Sequence, residues 1–371
     1  MEVSGGDGDM TSEISNFFQV LVLGLASLSY CYYIASRIPT GLFRLLSVLP
    51  VFYLFIILPL RLSSANLGGL TAFLLVWLAN FKLLLFTVNQ GPLSPPPPNL
   101  FHFISVACLP IKLKPPSSSS SSTALKKNTN DHVIKKAYNH RTQQVLSVIK
   151  VVLLGLIYYA YNYKQNFHTS FILFLYCCNM YLQLELLLVI SAAPARALFG
   201  FELEPQFNEP YLATSLQDFW GHRWNLMVTS ILRPTVYYPI RRISTSLIGP
   251  MWAHPTAVMA SFAVSGLMHE VMYYYITRMP PTWEVFWFFI LHGVCLVVEV
   301  TAKRAFPGKL PFLSAVYGPL VVLFVAGTSV WLFWPQLLRN GVDEKVIDEF
   351  FITLDFVKKK VSMSMQFWHE K

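Results

Sequence analysis

The chain has 371 residues, of which 54% are hydrophobic, 15% aromatic and only 13% charged. Soluble domains carry about 25% charged residues, and mean hydropathy here is positive, +0.48. The composition therefore indicates an integral membrane protein and argues against a soluble globular one. A formal net charge of +9 would suggest nucleic-acid binding in a soluble protein. Here the Lys and Arg residues lie between apolar runs, as in the cytoplasmic loops of membrane proteins.

Apolar runs recur over nearly the whole chain, and a helix of about 20 apolar residues crosses the hydrocarbon core. We therefore predict an all-α fold, a polytopic transmembrane helical bundle of about seven to nine spans. The predicted spans are residues 14–35, 43–60, 67–88, 145–163, 171–193, 254–275, 283–301 and 311–334. Residues 100–111 are apolar but short, so we predict a re-entrant or interfacial segment there.

Proline and serine runs divide the chain into segments. The proline block 91–98 cannot be helical. Residues 112–144, with serines at 117–122 and several Lys and Arg, are predicted to form a flexible cytoplasmic loop, or alternatively a basic patch for anionic lipid headgroups. The predicted organisation is an acidic tail 1–13, N-terminal helices 14–111, the basic loop 112–144, a core region 145–334 and a C-terminal tail 335–371.

The distribution of positive charge predicts the orientation in the membrane. If the loop 112–144 is cytoplasmic, then the basic stretches 37–44, 196–242 and 303–309 are cytoplasmic too, and the acidic N-terminus is lumenal. The basic cluster Lys358–Lys360 then falls on the lumenal side, which this topology does not explain.

Several catalytic signatures are absent from the sequence. The five cysteines form no C-x-x-C pair, and the nine histidines form no closely spaced pair of the kind that ligates a di-iron centre. The motifs H-E-x-x-H, G-x-S-x-G and the P-loop are missing as well. We therefore expect no metal site. The sequence does not favour a metalloenzyme, a serine hydrolase or a nucleotide-driven pump.

Two polar stretches stand out instead. His269 and Glu270 lie inside the predicted span 254–275, where ionisable groups are costly and usually functional. The alternative is a hydrogen-bonded structural histidine with its carboxylate neighbour nearer the interface. The second stretch, 215–225, mixes polar and aromatic side chains and reads either as a binding site or as an interfacial amphipathic helix. Its members are Asp218, Phe219, Trp220, His222, Arg223, Trp224 and Asn225.

Other polar residues within apolar runs need burial or partners. Gln183 and Glu185 predict that one face of the span 171–193 is buried in protein or water. Lys82 can snorkel or face the interior. His292 and Glu299 are seven residues apart on one helix, hence on one face, where they either line a chamber or pair and pack.

Three ordered segments resemble a known family. They are PQFNEPYLATSLQDFWGHRWNLMV from Pro205, VSGLMHEVMYYYITR from Val264 and LHGVCLVVE from Leu291. Weaker similarity runs through LPLRLSSANLGG and LVWLANFKLLLF. The chain resembles the membrane-bound O-acyltransferase superfamily, most closely its plant wax-synthase branch. The resemblance covers most of the chain except the N-terminal tail and the serine-rich loop.

The resemblance implies a bundle that encloses a catalytic chamber, an endoplasmic reticulum location, and ester synthesis from acyl-CoA and a long-chain alcohol. Acyl-CoA is a co-substrate, and no cofactor is expected. The catalytic histidine of the family maps onto His269 and its polar partner onto Asn225. Where the sterol and diacylglycerol acyltransferases have Asp and Trp, this chain has His222 and Arg223, which leaves those two roles open. We expect substrate-binding roles for Asp218, Phe219, Trp220, His222, Arg223, Trp224, Glu270 and His292.

Two other functions remain open from the sequence. A sterol could replace the alcohol, because plant sterol acyltransferases of the same branch look alike. A transporter or lipid-binding bundle could use His269 and Glu185 as a proton relay. The arginines at 223, 233, 241 and 242 could contact CoA phosphates, but the positive-inside bias alone would also place them on the cytosolic side.

Overall fold

The computed structural model describes residues 4–112, 129–200, 203–305 and 314–369. The serine run 117–122 lies outside these ranges, and so does most of the basic stretch 303–309. In chain order the helices are α1 Ser4–Tyr33, α2 Leu42–Ile57, α3 Ala65–Ala72, α4 Asn80–Thr87, α5 Leu100–Cys108, α6 Thr129–Tyr161, α7 Thr169–Phe199, α8 Leu216–Asp218, α9 Leu226–Leu232, α10 Tyr238–Ile248, α11 Pro250–Thr277, α12 Glu284–Ala305, α13 Ser314–Thr328, α14 Pro335–Arg339 and α15 Val342–His369. The π-helical segments are Phe73–Ala79, Phe219–Arg223, Arg233–Tyr237 and Ser329–Phe333.

The helices confirm the predicted all-α membrane fold. Those in the described ranges that are long and apolar enough to cross a membrane are Met10–Arg37, Leu42–Arg61, Ala65–Thr87, Thr169–Ser191, Glu284–Ala305 and Gly318–Arg339. The predicted span 145–163 is represented by a shorter apolar helix, Val145–Tyr161. Helix α11 has 28 residues but is not in this set, and it carries the polar residues His254, His269 and Glu270.

The chain divides into two compact units, Met1–Leu109 with Tyr211–Lys371, and Pro110–Pro210. In the second unit, α6 packs against α7 and supplies partners for the polar residues of the latter. Lys150 pairs with Glu185 at a partly buried position, and the side-chain amide of Gln183 donates to the Tyr158 hydroxyl at 2.5 Å. Gln183 and Glu185 of the span 171–193 thus each have a partner on the neighbouring helix.

In the first unit, α11 lies between α12 and α3, and glycines let these helices approach it closely. A Cβ atom added to Gly266 of α11 would stand 3.1 Å from the Cα of Phe286 on α12. One added to Gly69 of α3 would stand 3.1 Å from Cγ1 of Ile276 on α11. The helix that carries His269 is therefore held tightly on two sides.

Lys82 faces the interior, one of the two positions that its sequence context allowed. It is fully buried, and its ammonium donates to the carbonyl oxygens of Val106 at 2.7 Å and Leu109 at 2.8 Å. These carbonyls belong to the C-terminal end of α5, where a cation also interacts favourably with the helix dipole. Lys82 therefore fixes this short helix against α4.

Polar contacts gather at both ends of the first unit. At one end Arg44 donates to the carbonyls of Ser36, Ile38 and Phe86. At the other end Arg278 donates to the carbonyls of Pro59 and Leu62. This second end also receives α15, and the first end is the one that the positive-inside rule predicts to be cytosolic.

Candidate active site

His269 lies on α11 with one nitrogen engaged. Its Nδ1 is 2.8 Å from the carbonyl oxygen of Ser265, one turn earlier. A carbonyl can only accept, so Nδ1 carries the proton, and the neutral imidazole has its acceptor nitrogen at Nε2. The local helix geometry thus fixes the tautomer that a general base requires.

Aromatic rings surround this imidazole. The ring centroids of Phe289, Trp77 and Phe333 lie 4.3, 5.1 and 5.8 Å from that of His269. They come from α12, from the π-helical segment after α3 and from the one after α13. The side chain is only partly buried, so it borders accessible space within apolar surroundings.

Glu270, predicted to bind substrate, is turned toward the start of α12. One carboxylate oxygen, Oε1, accepts the backbone N–H of Phe286 at 3.2 Å, and Oε2 is buried with no hydrogen-bond partner. Adjacent side chains on a helix diverge by about 100°, and a carboxylate at a helix N-terminus is electrostatically favoured. The structure therefore gives Glu270 a contact with α12 rather than with the His269 ring.

The polar residues of the 215–225 stretch bond to each other. Asp218 accepts from Arg223 Nε at 2.7 Å and from the backbone N–H of Thr214 at 3.0 Å. Partial burial alone would raise the pKa of Asp218, but the hydrogen bonds from Thr214 and Arg223 and the arginine charge outweigh it and lower the pKa. His222 Nδ1 lies 3.8 Å from Asp218 on a side chain that is 65% exposed. This group forms a charged rim at the surface of the first unit.

The start of the same stretch is tied to α12. Leu216 donates its backbone N–H to the carboxylate of Glu299 at 2.8 Å, and Lys303 pairs with Glu299 at 2.5 Å. Ser215 caps α8 by accepting the N–H of Asp218 at 3.1 Å. Glu299 thus anchors the motif rather than pairing with His292, which lies two turns earlier on the same helix.

The aromatic residues of the stretch point inward. Phe219 is buried and stacks on Trp224 at 5.4 Å. Trp220 packs edge-on against Phe262 at 5.7 Å and His292 at 5.5 Å, and it lies 6.0 Å from Phe289. Phe289 in turn contacts His269, so the motif reaches the imidazole through aromatic rings.

His292 is completely buried and both of its nitrogens are engaged. Nδ1 is 2.8 Å from the carbonyl of Phe288, and Nε2 is 3.3 Å from the hydroxyl of Thr328 on α13. Satisfied buried polar groups of this kind favour a unique packing. Of the two predicted possibilities, lining or packing, the geometry matches packing.

Asn225 starts α9 from a left-handed backbone conformation, φ 40° and ψ 65°, which asparagine tolerates better than most residues. Its Oδ1 accepts the N–H of Val228 at 3.3 Å. An N-cap bond through Oδ1 leaves the two Nδ2 hydrogens available as donors. No hydrogen bond joins Asn225 to His269 in the described structure.

Trp77 is a contact that the sequence reasoning missed, although the segment LVWLANFK that contains it carried part of the resemblance. A signal existed, because the side chains of Trp77 and Asn80 can form hydrogen bonds and lie in an otherwise apolar run. Across the described ranges, no group of three or more His, Cys, Asp or Glu residues is arranged to hold a metal ion.

Comparisons with known proteins agree with this architecture. Residues 203–291, which include Asn225 and His269, match the family described as "Membrane bound O-acyl transferase family". The chain is 47% identical over 357 residues to "Long-chain-alcohol O-fatty-acyltransferase" of Simmondsia chinensis, covering 95% of this chain and 98% of that protein. It is 45% identical over 349 residues to "Probable long-chain-alcohol O-fatty-acyltransferase 1" of Arabidopsis thaliana, covering 94% and 98%.

A third relative is "Acyl-CoA--sterol O-acyltransferase 1" of Arabidopsis thaliana, 42% identical over 340 residues, covering 91% of this chain and 94% of that protein. This multi-pass helical protein, with a histidine inside its bundle, belongs to the membrane bound O-acyl transferase family. Within the family it stands with the plant long-chain-alcohol O-fatty-acyltransferases, which confirms the resemblance drawn from the three segments.

Proposed function

We propose that this protein is an acyl-CoA:long-chain-alcohol O-acyltransferase that makes wax esters. The observation that carries the proposal is the state of His269, whose Nδ1–H is held by Ser265 and whose Nε2 is the acceptor in an aromatic enclosure. The names of the two long-chain-alcohol relatives support the same reaction.

In the proposed mechanism His269 is the general base. Nε2 takes the hydroxyl proton as the alcohol oxygen attacks the thioester carbonyl carbon, a contribution of about 10²–10⁴-fold. The new C–O bond forms, the C–S bond breaks, and the departing CoA thiolate receives the proton from the imidazolium. The acyl group moves directly between the two substrates, without an acyl-enzyme and without a cofactor.

The developing charge on the thioester oxygen needs a donor. We assign this role to Nδ2 of Asn225, since its Oδ1 is already fixed by Val228. Aromatic enclosure matters as well, because it keeps bulk water from hydrolysing the thioester.

Substrate-binding roles are proposed for the remaining residues of the motif. Asp218, His222 and Arg223 form the charged rim, where CoA would approach from the cytosol. Phe219, Trp220 and Trp224 would form an apolar wall for the chains. Glu270 would affect substrate binding indirectly, by positioning α12 through its hydrogen bond with Phe286. His292 would do so by positioning α13 through its hydrogen bond with Thr328. We place the enzyme in the endoplasmic reticulum, where acyl-CoA and lipid-soluble acceptors meet.

A sterol is the second candidate acceptor, favoured by the similarity to the plant sterol acyltransferase. Fold, acyl donor and base would be the same for both acceptors.

The test uses microsomes from a host that lacks its own neutral-lipid acyltransferases. Wild type, His269→Ala and the control His168→Ala, which alters an exposed histidine of the other unit, are each given labelled acyl-CoA with hexadecanol or a sterol. We expect wax ester from wild type and the control, and none from His269→Ala. Sterol ester alone would overturn the acceptor, and ester from His269→Ala at the wild-type rate would overturn the base. No ester from folded wild type with either acceptor would overturn the proposed function.

A further inference from the structure

Trp77 is placed by the π-helical segment Phe73–Ala79, which joins α3 to α4. Its ring is perpendicular to the His269 imidazole, with an interplanar angle of 82° and 5.1 Å between centroids. The side chain is only 3% exposed. A π-helical turn in a helix is often found at a functional site, because it redirects side chains that a regular helix would point elsewhere.

The indole nitrogen of Trp77 is buried and has no hydrogen-bond partner. An indole N–H is a donor only, and buried ones usually find an acceptor. His269 does not serve, because no hydrogen bond joins Nε1 to its imidazole. A buried donor is therefore left unpaired on the ring that contacts the proposed base, and such a group is destabilising unless something supplies an acceptor.

The same helical turn also touches the helix that Asn225 begins. Leu78, the next residue, packs with Met227 and Ile231 of α9. Three residues beyond Trp77 in the chain, Asn80 has a buried side-chain oxygen without a partner. Trp77 thus lies on an element that packs against both the His269 helix and the Asn225 helix.

We propose that Trp77 is a further catalytic residue, whose Nε1–H donates to the thioester carbonyl oxygen. The role rests on the proposed acyl transfer. As the alcohol oxygen bonds to the carbonyl carbon, the C=O electron pair moves onto the oxygen, which Trp77 and Asn225 hold while His269 takes the hydroxyl proton. The pair returns as the C–S bond breaks, and the thiolate takes the proton from the imidazolium. The N–H groups of Trp77 and Asn225 that donate to this oxygen are neutral and keep their protons, so the step needs no further proton.

Substitutions at this position separate donation from packing. Trp77→Phe keeps an aromatic ring against His269 without the N–H, Trp77→His keeps an N–H on a smaller ring, and Trp77→Leu keeps neither. The control Trp252→Phe changes an indole that is 57% exposed. For each purified variant we measure kcat, the KM for acyl-CoA and the KM for the acceptor that the wild-type enzyme esterifies. The unfolding temperature of each variant is measured as well.

If Trp77 donates to the oxyanion, Trp77→Phe lowers kcat by about 10²–10³-fold, as loss of one such donor does elsewhere, with both KM values nearly unchanged. Trp77→His then retains more activity than Trp77→Phe, despite its poorer packing. If the residue only packs, the order reverses: Phe retains most of the activity, while His and Leu lose it in step with their unfolding temperatures. That order, or a Phe variant that changes KM alone, would overturn the proposal. Wild type that makes no ester would instead count against the proposed function.

Discussion

Glu349 of α15 accepts hydrogen bonds at the start of a helix elsewhere in the chain, α3, whose N-cap residue is Ser64. Its carboxylate accepts from the backbone N–H groups of Ala65 at 2.8 Å and Asn66 at 3.0 Å, at the start of α3. It also accepts from the Ser64 hydroxyl at 2.8 Å and from the Asn66 side-chain amide at 3.0 Å. An anion here also complements the positive end of the α3 dipole. Glu349 therefore joins the C-terminal helix to the helix that leads into Trp77.

The expected loss for Glu349→Ala combines two terms. Removing a side-chain acceptor from the first N–H groups of a helix costs about 0.5–2 kcal/mol, as for an N-cap, and removing a negative charge from a helix N-terminus costs about 0.3–1 kcal/mol. The sum is about 1–3 kcal/mol. At about 2 °C per kcal/mol, the lower end for domains of 150–250 residues, the unfolding temperature should fall by about 2–6 °C. Glu349→Gln keeps the shape of the side chain and loses its charge, so its unfolding temperature should lie between those of the wild type and Glu349→Ala.

Thermal unfolding in detergent micelles, followed by tryptophan fluorescence, measures this effect. The control is Asp355→Asn on the same helix, which removes an exposed pair with Lys358, 3.3 Å apart. Exposed pairs contribute about 0–1 kcal/mol, so this variant should unfold near wild type. Glu349→Ala unfolding together with the control would refute the inference that the carboxylate stabilises α3.

Three further substitutions test other contacts with the same unfolding assay. Gly266→Ala puts a Cβ 3.0–3.2 Å from Phe286, including its backbone, and should lower the free energy of unfolding by about 1–3 kcal/mol. The control Gly24→Ala meets nothing within 4 Å and should be neutral or stabilising. Equal losses for the two variants would count against the close packing at Gly266. Arg44→Lys replaces a fork that reaches three carbonyls by a point charge, and should lose at least one charged hydrogen bond, about 1.5–3 kcal/mol; unchanged stability would contradict this. Asp218→Asn should lower stability at neutral pH. Because folding lowers the Asp218 pKa, that difference is present above the unfolded pKa of about 3.9 and shrinks as pH falls through the folded value; a difference independent of pH would exclude the ion pair as its source.

The residues of the candidate site could be proposed from the sequence, but their contacts could not. His269 was singled out because ionisable side chains are rare within membrane spans, and Asn225 was chosen through the family resemblance. Glu270, next to His269 in the chain, was expected to bind substrate, whereas its carboxylate accepts from Phe286 at the start of α12. His292 was left as either lining or packing, and its two hydrogen bonds match packing. Sequence adjacency does not determine which way a helical side chain faces.

The missed residue illustrates the same limit. Tryptophan is frequent where a membrane helix meets the interface, and nothing near Trp77 in the chain is titratable except Lys82. Its relation to His269 depends on the close packing of α3 on α11 at Gly69 and on a π-helical turn. Neither feature has a periodic signature that a hydropathy pattern can reveal.

The sequence by itself determined that this is a multi-pass helical membrane protein, because burial in lipid acts on each segment separately and depends only on local composition. It also determined the family, through three ordered motifs that contain Asn225 and His269. Only the tertiary structure decided which nitrogen of His269 is the acceptor, which rings enclose it, and that the indole of Trp77 lies unpaired beside it. These facts depend on the packing of helices that are distant in the chain, and packing is a property of the assembled bundle rather than of any one segment.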